Sequence, residues 1–297
     1  MSGRSWRQPL LVRGVLWREL LRWGILNIPT WIEPLAIAGA SLFFLLWGPG
    51  RRGVMRNLAA IKPGSLAITN FFRCYRVFCN YAWTISDNIR LKELGAIPDW
   101  EFEGWENFQA MQSGQGAILL TAHMGSYDLG AQLFSEMSAR EIVTVRAPEA
   151  DPETEAFEQK HGTAGVRVEY NTQADALALE LLQTVRAGGI IAIQGDRVMP
   201  GISVLQSRLF DQPAGFPAGP FALAMTARVA IYPIFVVRVG RRRYRLITRP
   251  PIAVTRTRSR DEDFAHAVAQ WTLELEQVVR QNWFQWFQFE PFAGEPA

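Results

Sequence analysis

From about residue 100 onward, short apolar runs alternate with stretches of helical periodicity, and this alternation restricts the fold more than any other feature of the chain. Strands are expected at 117–121, 141–146, 166–169, 190–194, 203–209, 231–238 and 243–248. Helices are expected near 105–112, 126–138, 151–161, 173–187 and 217–227, with a last one over about 261–282. Ala117-Ile118-Leu119-Leu120 has the character of a central strand, apolar throughout and so covered on both faces. The expected class is α/β: a mixed, largely parallel central sheet flanked by helices.

The first 60 residues read differently. They hold eight arginines against Glu19 and Glu33, a net of +6 in a chain whose total is +3. Trp6, Trp17, Trp23 and Trp31 are interleaved with those arginines, a composition suited to a lipid headgroup layer. Residues 34–47 form an uncharged apolar run, short beside the ~20 residues a spanning helix needs. A monotopic or re-entrant anchor is the expectation. A single span and a hydrophobic helix pair capping a soluble core are the alternatives. Helices are expected at 51–61 and 65–94, giving an N-terminal helical membrane-associating extension over 1–62 and an α/β domain over 63–297.

Cys74 and Cys79 are the only cysteines and have no CxxC spacing, so neither a disulfide framework nor a zinc site is expected. Three dispersed histidines give no metal-ligand cluster, and no phosphate-cradling glycine motif points to a nucleotide cofactor. A second basic stretch, Arg238 to Arg260, contains no acid, but no nucleic-acid-binding motif accompanies it.

His123 leaves the apolar run at the carboxyl end of an expected strand, where open α/β sheets place their ligands. Gly125 permits a sharp exit, Ser126 is a good N-cap, and Asp128 falls in the first turn of the helix that follows. An imidazole held by a carboxylate can take a proton from a hydroxyl near neutral pH. Asp128 is the expected holder of His123. The residues alone equally allow a turn histidine satisfied by backbone and an acid favoured by the helix dipole. No serine or cysteine nearby has a nucleophile-elbow signature, which favours direct attack by an activated acceptor.

Taken with three further blocks, the H-x4-D pattern of His123 and Asp128 resembles the lipid A biosynthesis (lauroyl/myristoyl) acyltransferases, within the wider glycerolipid acyltransferase superfamily. The blocks are Val145-Arg146-Ala147-Pro148, Gly188 to Arg197, and Phe216 to Pro220 followed by Ile231-Tyr232-Pro233-Ile234. Glycerophosphate acyltransferases usually carry glutamate where this chain has Ala218, so the lipid A-type branch fits better. Gly195-Asp196-Arg197 stands where lipid A enzymes often have Asp-Gln-Asp.

The resemblance implies acyl transfer from a thioester, carried by acyl carrier protein or coenzyme A, to a hydroxyl of a lipid or glycolipid. No cofactor is implied. His123 would be the base and Asp128 its orienter. Arg146 and Arg197 are candidates to bind an oxyanion or a phosphate, and Asp196 is expected to orient Arg197. Gly219 would shape the helix start beside the acyl site. The implied location is the inner (cytoplasmic) membrane, with the catalytic domain on the cytoplasmic face. A His-Asp thioesterase or hydrolase, and a non-catalytic lipid- or carrier-binding scaffold, are the competing readings.

Overall fold

A computed structural model describes residues 15–47, 50–95, 98–147, 165–171 and 174–293. The expected helix at 151–161, along with Pro148 and His161, lies outside the described residues.

Four helices come first: α1 (Val15–Asn27), α2 (Glu33–Trp47), α3 (Arg51–Ile61) and α4 (Ala67–Leu94). The α/β part follows in the order β1 (Asp99–Glu103), α5 (Trp105–Ser113), β2 (Ala117–Thr121), α6 (Tyr127–Met137), β3 (Ile142–Arg146), β4 (Arg167–Tyr170), α7 (Ala174–Arg186), β5 (Ile190–Gln194), β6 (Val204–Leu209), β7 (Gln212–Pro217), α8 (Gly219–Ala227), β8 (Ile231–Gly240), β9 (Arg243–Thr248) and α9 (Arg260–Asn282). A 3-10 turn, Trp283–Gln285, closes the last helix.

Among the described residues, seven strands form one sheet in the order β1-β9-β8-β2-β5-β3-β4. Every pairing is parallel except that of β8 with β9, so the sheet is mixed and mostly parallel, as expected. The period-2 alternation of the strands divides the core in two. Ile118 and Leu120 of β2, with Phe235 and Val237 of β8, face the cluster containing Trp271 of α9. Ala117 and Leu119, with Ile234 and Val236, face Leu129, Leu133 and Phe134 of α6.

Two strands escape a reading by hydropathy. β1 reads Asp-Trp-Glu-Phe-Glu and sits at the sheet edge, where its acids meet a basic neighbour. Glu101 pairs with Arg243 and Arg245, and Glu103 with Arg249. β7 contains two prolines and a glycine, yet pairs antiparallel with β6 in a hairpin separate from the main sheet. The expected strand at 203–209 therefore exists but does not join the central sheet.

The Arg238–Arg260 stretch also changes meaning. Arg238 pairs with Asp87 and Arg241 with Glu33, beside the pairs made by Arg243, Arg245 and Arg249. Much of its charge is thus met from within the protein, including from α2 and α4.

Those helices are joined to the α/β part by buried polar groups as well as by packing. Glu33 accepts from Ser86 Oγ (2.5 Å) and Arg90 Nε (3.1 Å), and Asp87 Oδ2 accepts from Tyr244 Oη (2.6 Å) and Arg238 Nε (3.1 Å). Leu45 of α2 is buried against Cys74, Val77 and Phe78 of α4. The outer side of α1, α2 and the turn joining them is different: Leu16, Leu20, Trp23, Trp31, Leu35 and Phe43 are all exposed, Trp31 of the turn at 74% and Leu35 at 70%. No helix among the described residues is long and apolar enough to cross a membrane.

Candidate active site

The site is built by the parallel pairing of β2 with β5. Thr121 is the register partner of Gln194, and Gly195 N donates to Thr121 O (2.8 Å). His123 and Asp196 each lie two residues beyond that last pair, so the two chains leave the sheet side by side and present these side chains to each other.

The contact is close and two-pronged. His123 Nδ1 lies 2.7 Å from Asp196 Oδ1, and the His123 backbone N–H donates to Asp196 Oδ2 (3.0 Å). A third donor, the Trp286 indole Nε1–H, reaches Oδ2 at 2.8 Å. Asp196 is completely enclosed, with 0% of its side chain exposed. Burial by itself would push its carboxyl pKa up. The His123 charge and hydrogen bond, the Trp286 N–H and the Arg197 charge outweigh burial and hold the pKa below the ordinary value. An ionised Asp196 is an acceptor only, so Nδ1 carries a proton, and in the neutral ring the lone pair then falls on Nε2. Nε2 takes no protein partner among the described residues, and 23% of the His123 side chain is exposed.

Asp128 is placed elsewhere. It stands in the first turn of α6 as expected, but its Oδ1 accepts from Arg146 Nη2 at 2.6 Å and it makes no hydrogen bond to His123. The side chain that engages the imidazole is Asp196, 73 residues on in sequence. Arg197 is not oriented by Asp196 through a hydrogen bond. Its Nε donates to Gln288 Oε1 (3.0 Å) and its Nη2 to Phe287 O (3.4 Å). Ser126 occupies the N-cap position of α6 without capping it by its side chain, and its hydroxyl donates instead to Asn88 Oδ1 of α4. Gly219 begins α8 and is not in the cavity wall described below.

The sharp exit at Gly125 is enforced by a neighbouring strand. Its φ is +51°, and a Cβ there would lie 1.9 Å from the carbonyl oxygen of Val236 on β8. The turn thus presses directly on the sheet, leaving little play in the position of His123.

Beside the turn, a cleft partly open to solvent runs between α6 and the sheet. Its wall follows the strands from Thr121, Arg146 and Gln194 at their carboxyl ends to Leu119 and Ile142 deeper in, with Phe134 over it. From Arg146 back to Ile142 is about 13 Å of strand. The lining is mainly apolar, but Tyr127, Asp128 and Arg146 belong to it. One buried polar atom in it, Thr144 Oγ1, has no hydrogen-bond partner among the described residues, while the Gln194 side chain bears on the Tyr127 hydroxyl. A buried donor left unpaired costs about 1–3 kcal/mol, so such an atom in a cavity wall is poised for a ligand.

A histidine at a strand end, an enclosed carboxylate behind it and an apolar cleft alongside are the arrangement an α/β enzyme would use on a substrate with a substantial apolar part. The chain belongs to the bacterial lipid A biosynthesis acyltransferases, whose family model matches residues 74–291. Its activity is accordingly that of a lipid acyltransferase, which implies an acyl donor and a lipid acceptor. No curated protein is significantly similar to the chain.

Proposed function

We propose that this protein transfers a fatty acyl chain from an acyl thioester, on acyl carrier protein or coenzyme A, to a hydroxyl of a lipid or glycolipid acceptor, with His123 as general base. The single observation that carries this reading is the 2.7 Å contact between His123 Nδ1 and the enclosed Asp196, which leaves Nε2 directed to substrate. Nε2 takes the acceptor's proton as its oxygen attacks the thioester carbonyl. The imidazolium so formed is stabilised by Asp196. When the tetrahedral intermediate collapses, the C–S bond breaks and the same proton passes to the departing thiolate.

Developing charge on the carbonyl oxygen calls for an N–H donor, and the Gln194 side-chain amide in the cavity wall beside the histidine turn is suited to that part. The cavity under α6 is suited to the alkyl chain. Asp128 acts at one remove, by holding Arg146 in the cavity wall.

The exposed leucines, phenylalanine and tryptophans of α1, α2 and the turn joining them support attachment to one leaflet of a membrane, and the inner membrane's cytoplasmic face is the location we assign. Incubating the purified protein with labelled acyl-carrier protein or acyl-CoA and a membrane lipid extract tests the whole reading. A labelled lipid is expected. Free fatty acid alone would identify a thioesterase, and no consumption of thioester a binding scaffold.

A further inference from the structure

We infer that Trp286 is a positioning residue of this site: its indole N–H fixes the Asp196 carboxylate, which in turn holds His123. The inference rests on the reading of His123 and Asp196 as the reacting pair.

The chain is rich in aromatics from Trp283 to Phe292, and one stretch of this segment runs along the histidine turn. Gly125 N donates to Gln285 O (3.0 Å), Phe287 N donates to His123 O (2.7 Å), and Met124 forms an antiparallel bridge with Trp286. Residues 285–287 thus form a short strap paired, backbone to backbone, with the residues on either side of the base. From its middle Trp286 reaches across to Asp196 Oδ2 at 2.8 Å.

The strap is fixed at both ends. Gln285 exchanges two hydrogen bonds with the Arg238 backbone, accepting from its N–H (2.6 Å) and donating to its carbonyl (2.8 Å). Further on, Asn57 Nδ2 of α3 donates to Gln288 O and Glu290 O, at 2.9 and 2.8 Å. The chain also passes so close to α3 that a Cβ on Gly53 would lie 2.0 Å from Phe289 O. The indole ring is held between Phe210 and Phe292, with centroids 6.0 and 5.6 Å away.

Packing alone does not account for an N–H aimed at an enclosed carboxylate. Asp196 Oδ2 takes two donors, the His123 amide and the Trp286 indole, and Oδ1 faces the imidazole. The charged groups bearing on Asp196 are His123 and Arg197, and Arg197 is itself tied to the strap through Gln288 and Phe287. Without the indole N–H, Oδ2 keeps only the His123 amide as a donor, so the carboxylate is less firmly held and more basic. The proton on Nδ1 is then drawn towards it more strongly, and the ring is less well placed.

The test is Trp286→Phe, which keeps an aromatic ring in the cluster and removes the donor, with kcat and KM followed across pH. A fall in kcat of about 10-fold or more is expected. KM for the acyl donor should change little, and the acid limb of the kcat profile should move to higher pH. Phe210→Leu loosens the same ring cluster without touching the hydrogen bond and is the packing control. A Trp286→Phe enzyme with wild-type kcat and acid limb overturns the inference, as does a Phe210→Leu enzyme showing the same loss and the same limb shift.

Asp196→Asn separates the two levels of the argument. Wild-type activity in that variant removes the His123–Asp196 reading itself. Loss of activity there, beside an unaffected Trp286→Phe enzyme, removes only the role of Trp286. Should Trp286→Phe fail to fold, the indole 15N–1H resonance of Trp286 gives the answer. It should shift when Asp196→Asn is introduced, and an unmoved resonance overturns the inference.

Discussion

Asp196 Oδ1 lies 2.7 Å from His123 Nδ1, across the gap between two adjacent parallel strands, while Asp128, five residues after the histidine, closes on Arg146 at 2.6 Å. The two carboxylates therefore divide the work. One is enclosed and bears on the His123 imidazole. The other is in the cavity wall and bears on a cation.

Substitution should separate these tasks. His123→Ala and Asp196→Asn are each expected to lower kcat by about 10²–10⁴-fold with the fold retained. Asp128→Asn and Arg146→Ala should show a smaller fall in kcat and a raised KM for the acyl donor, and the double variant should be no worse than the poorer single one. If Asp128→Asn loses as much kcat as His123→Ala while Asp196→Asn stays active, the division is reversed.

Acid stability provides a second check. The Asp196 carboxyl titrates below its ordinary value because the His123 and Trp286 contacts outweigh burial. An unfolded chain takes up that proton first as pH falls. The stability contributed is therefore complete above the ordinary carboxylate range, about pH 4, and is lost as pH drops through the folded-state value. Circular dichroism melts of Asp196→Asn should depend less steeply on pH below about 4 than those of the unaltered protein.

The buried Glu33 cluster should govern attachment of the N-terminal helices. Burial opposes ionisation of Glu33, but Ser86, Arg90 and Arg241 together hold its carboxyl below the ordinary value. Arg90→Leu leaves a buried carboxylate short of a partner and is expected to destabilise the protein by roughly 3–5 kcal/mol. Denaturant unfolding measures this, and a change within about 0.5 kcal/mol, the size of an ordinary surface effect, would count against the cluster.

The cavity should set the length of chain accepted. Ala192 lies in its wall between Leu119 and Thr144 on the neighbouring strands. Ala192→Leu is expected to shift preference towards shorter acyl donors, read as kcat/KM across a series of chain lengths. An unchanged preference would place the chain elsewhere.

Membrane binding should depend on the outer side of α1, α2 and the turn joining them. Replacing Trp31 and Leu35 with glutamate, both largely exposed, is expected to weaken co-sedimentation with anionic vesicles while leaving the melting temperature unchanged. Undiminished co-sedimentation would put the attachment outside these helices.

Much of the architecture was legible from local pattern. The run at 117–121, the helix after Ser126, the strand at 190–194 and the last helix all follow from apolar periodicity, because each reflects which faces of one element are covered. His123 was legible as well, since a strand end followed by glycine and a helix start is a local signal. β1 was not, because its strand character comes from the arginines of β9 and not from its own hydropathy. Nor was the hairpin of β6 and β7, whose two turn residues, Phe210 and Asp211, both take positive φ in place of the usual glycine or asparagine.

The partner of His123 belongs to the second group. Sequence alone determined most strands of the sheet, the histidine at a strand end and the resemblance to lipid A acyltransferases, because these depend on residue order and on periodicities spanning a few turns. Tertiary structure decided which acid holds the His123 imidazole, because that depends on β5 pairing with β2 and on a C-terminal strap crossing the turn. Asp128 is close in sequence, but the helix carries it towards Arg146. Asp196 is 73 residues away, and parallel register brings it within 2.7 Å.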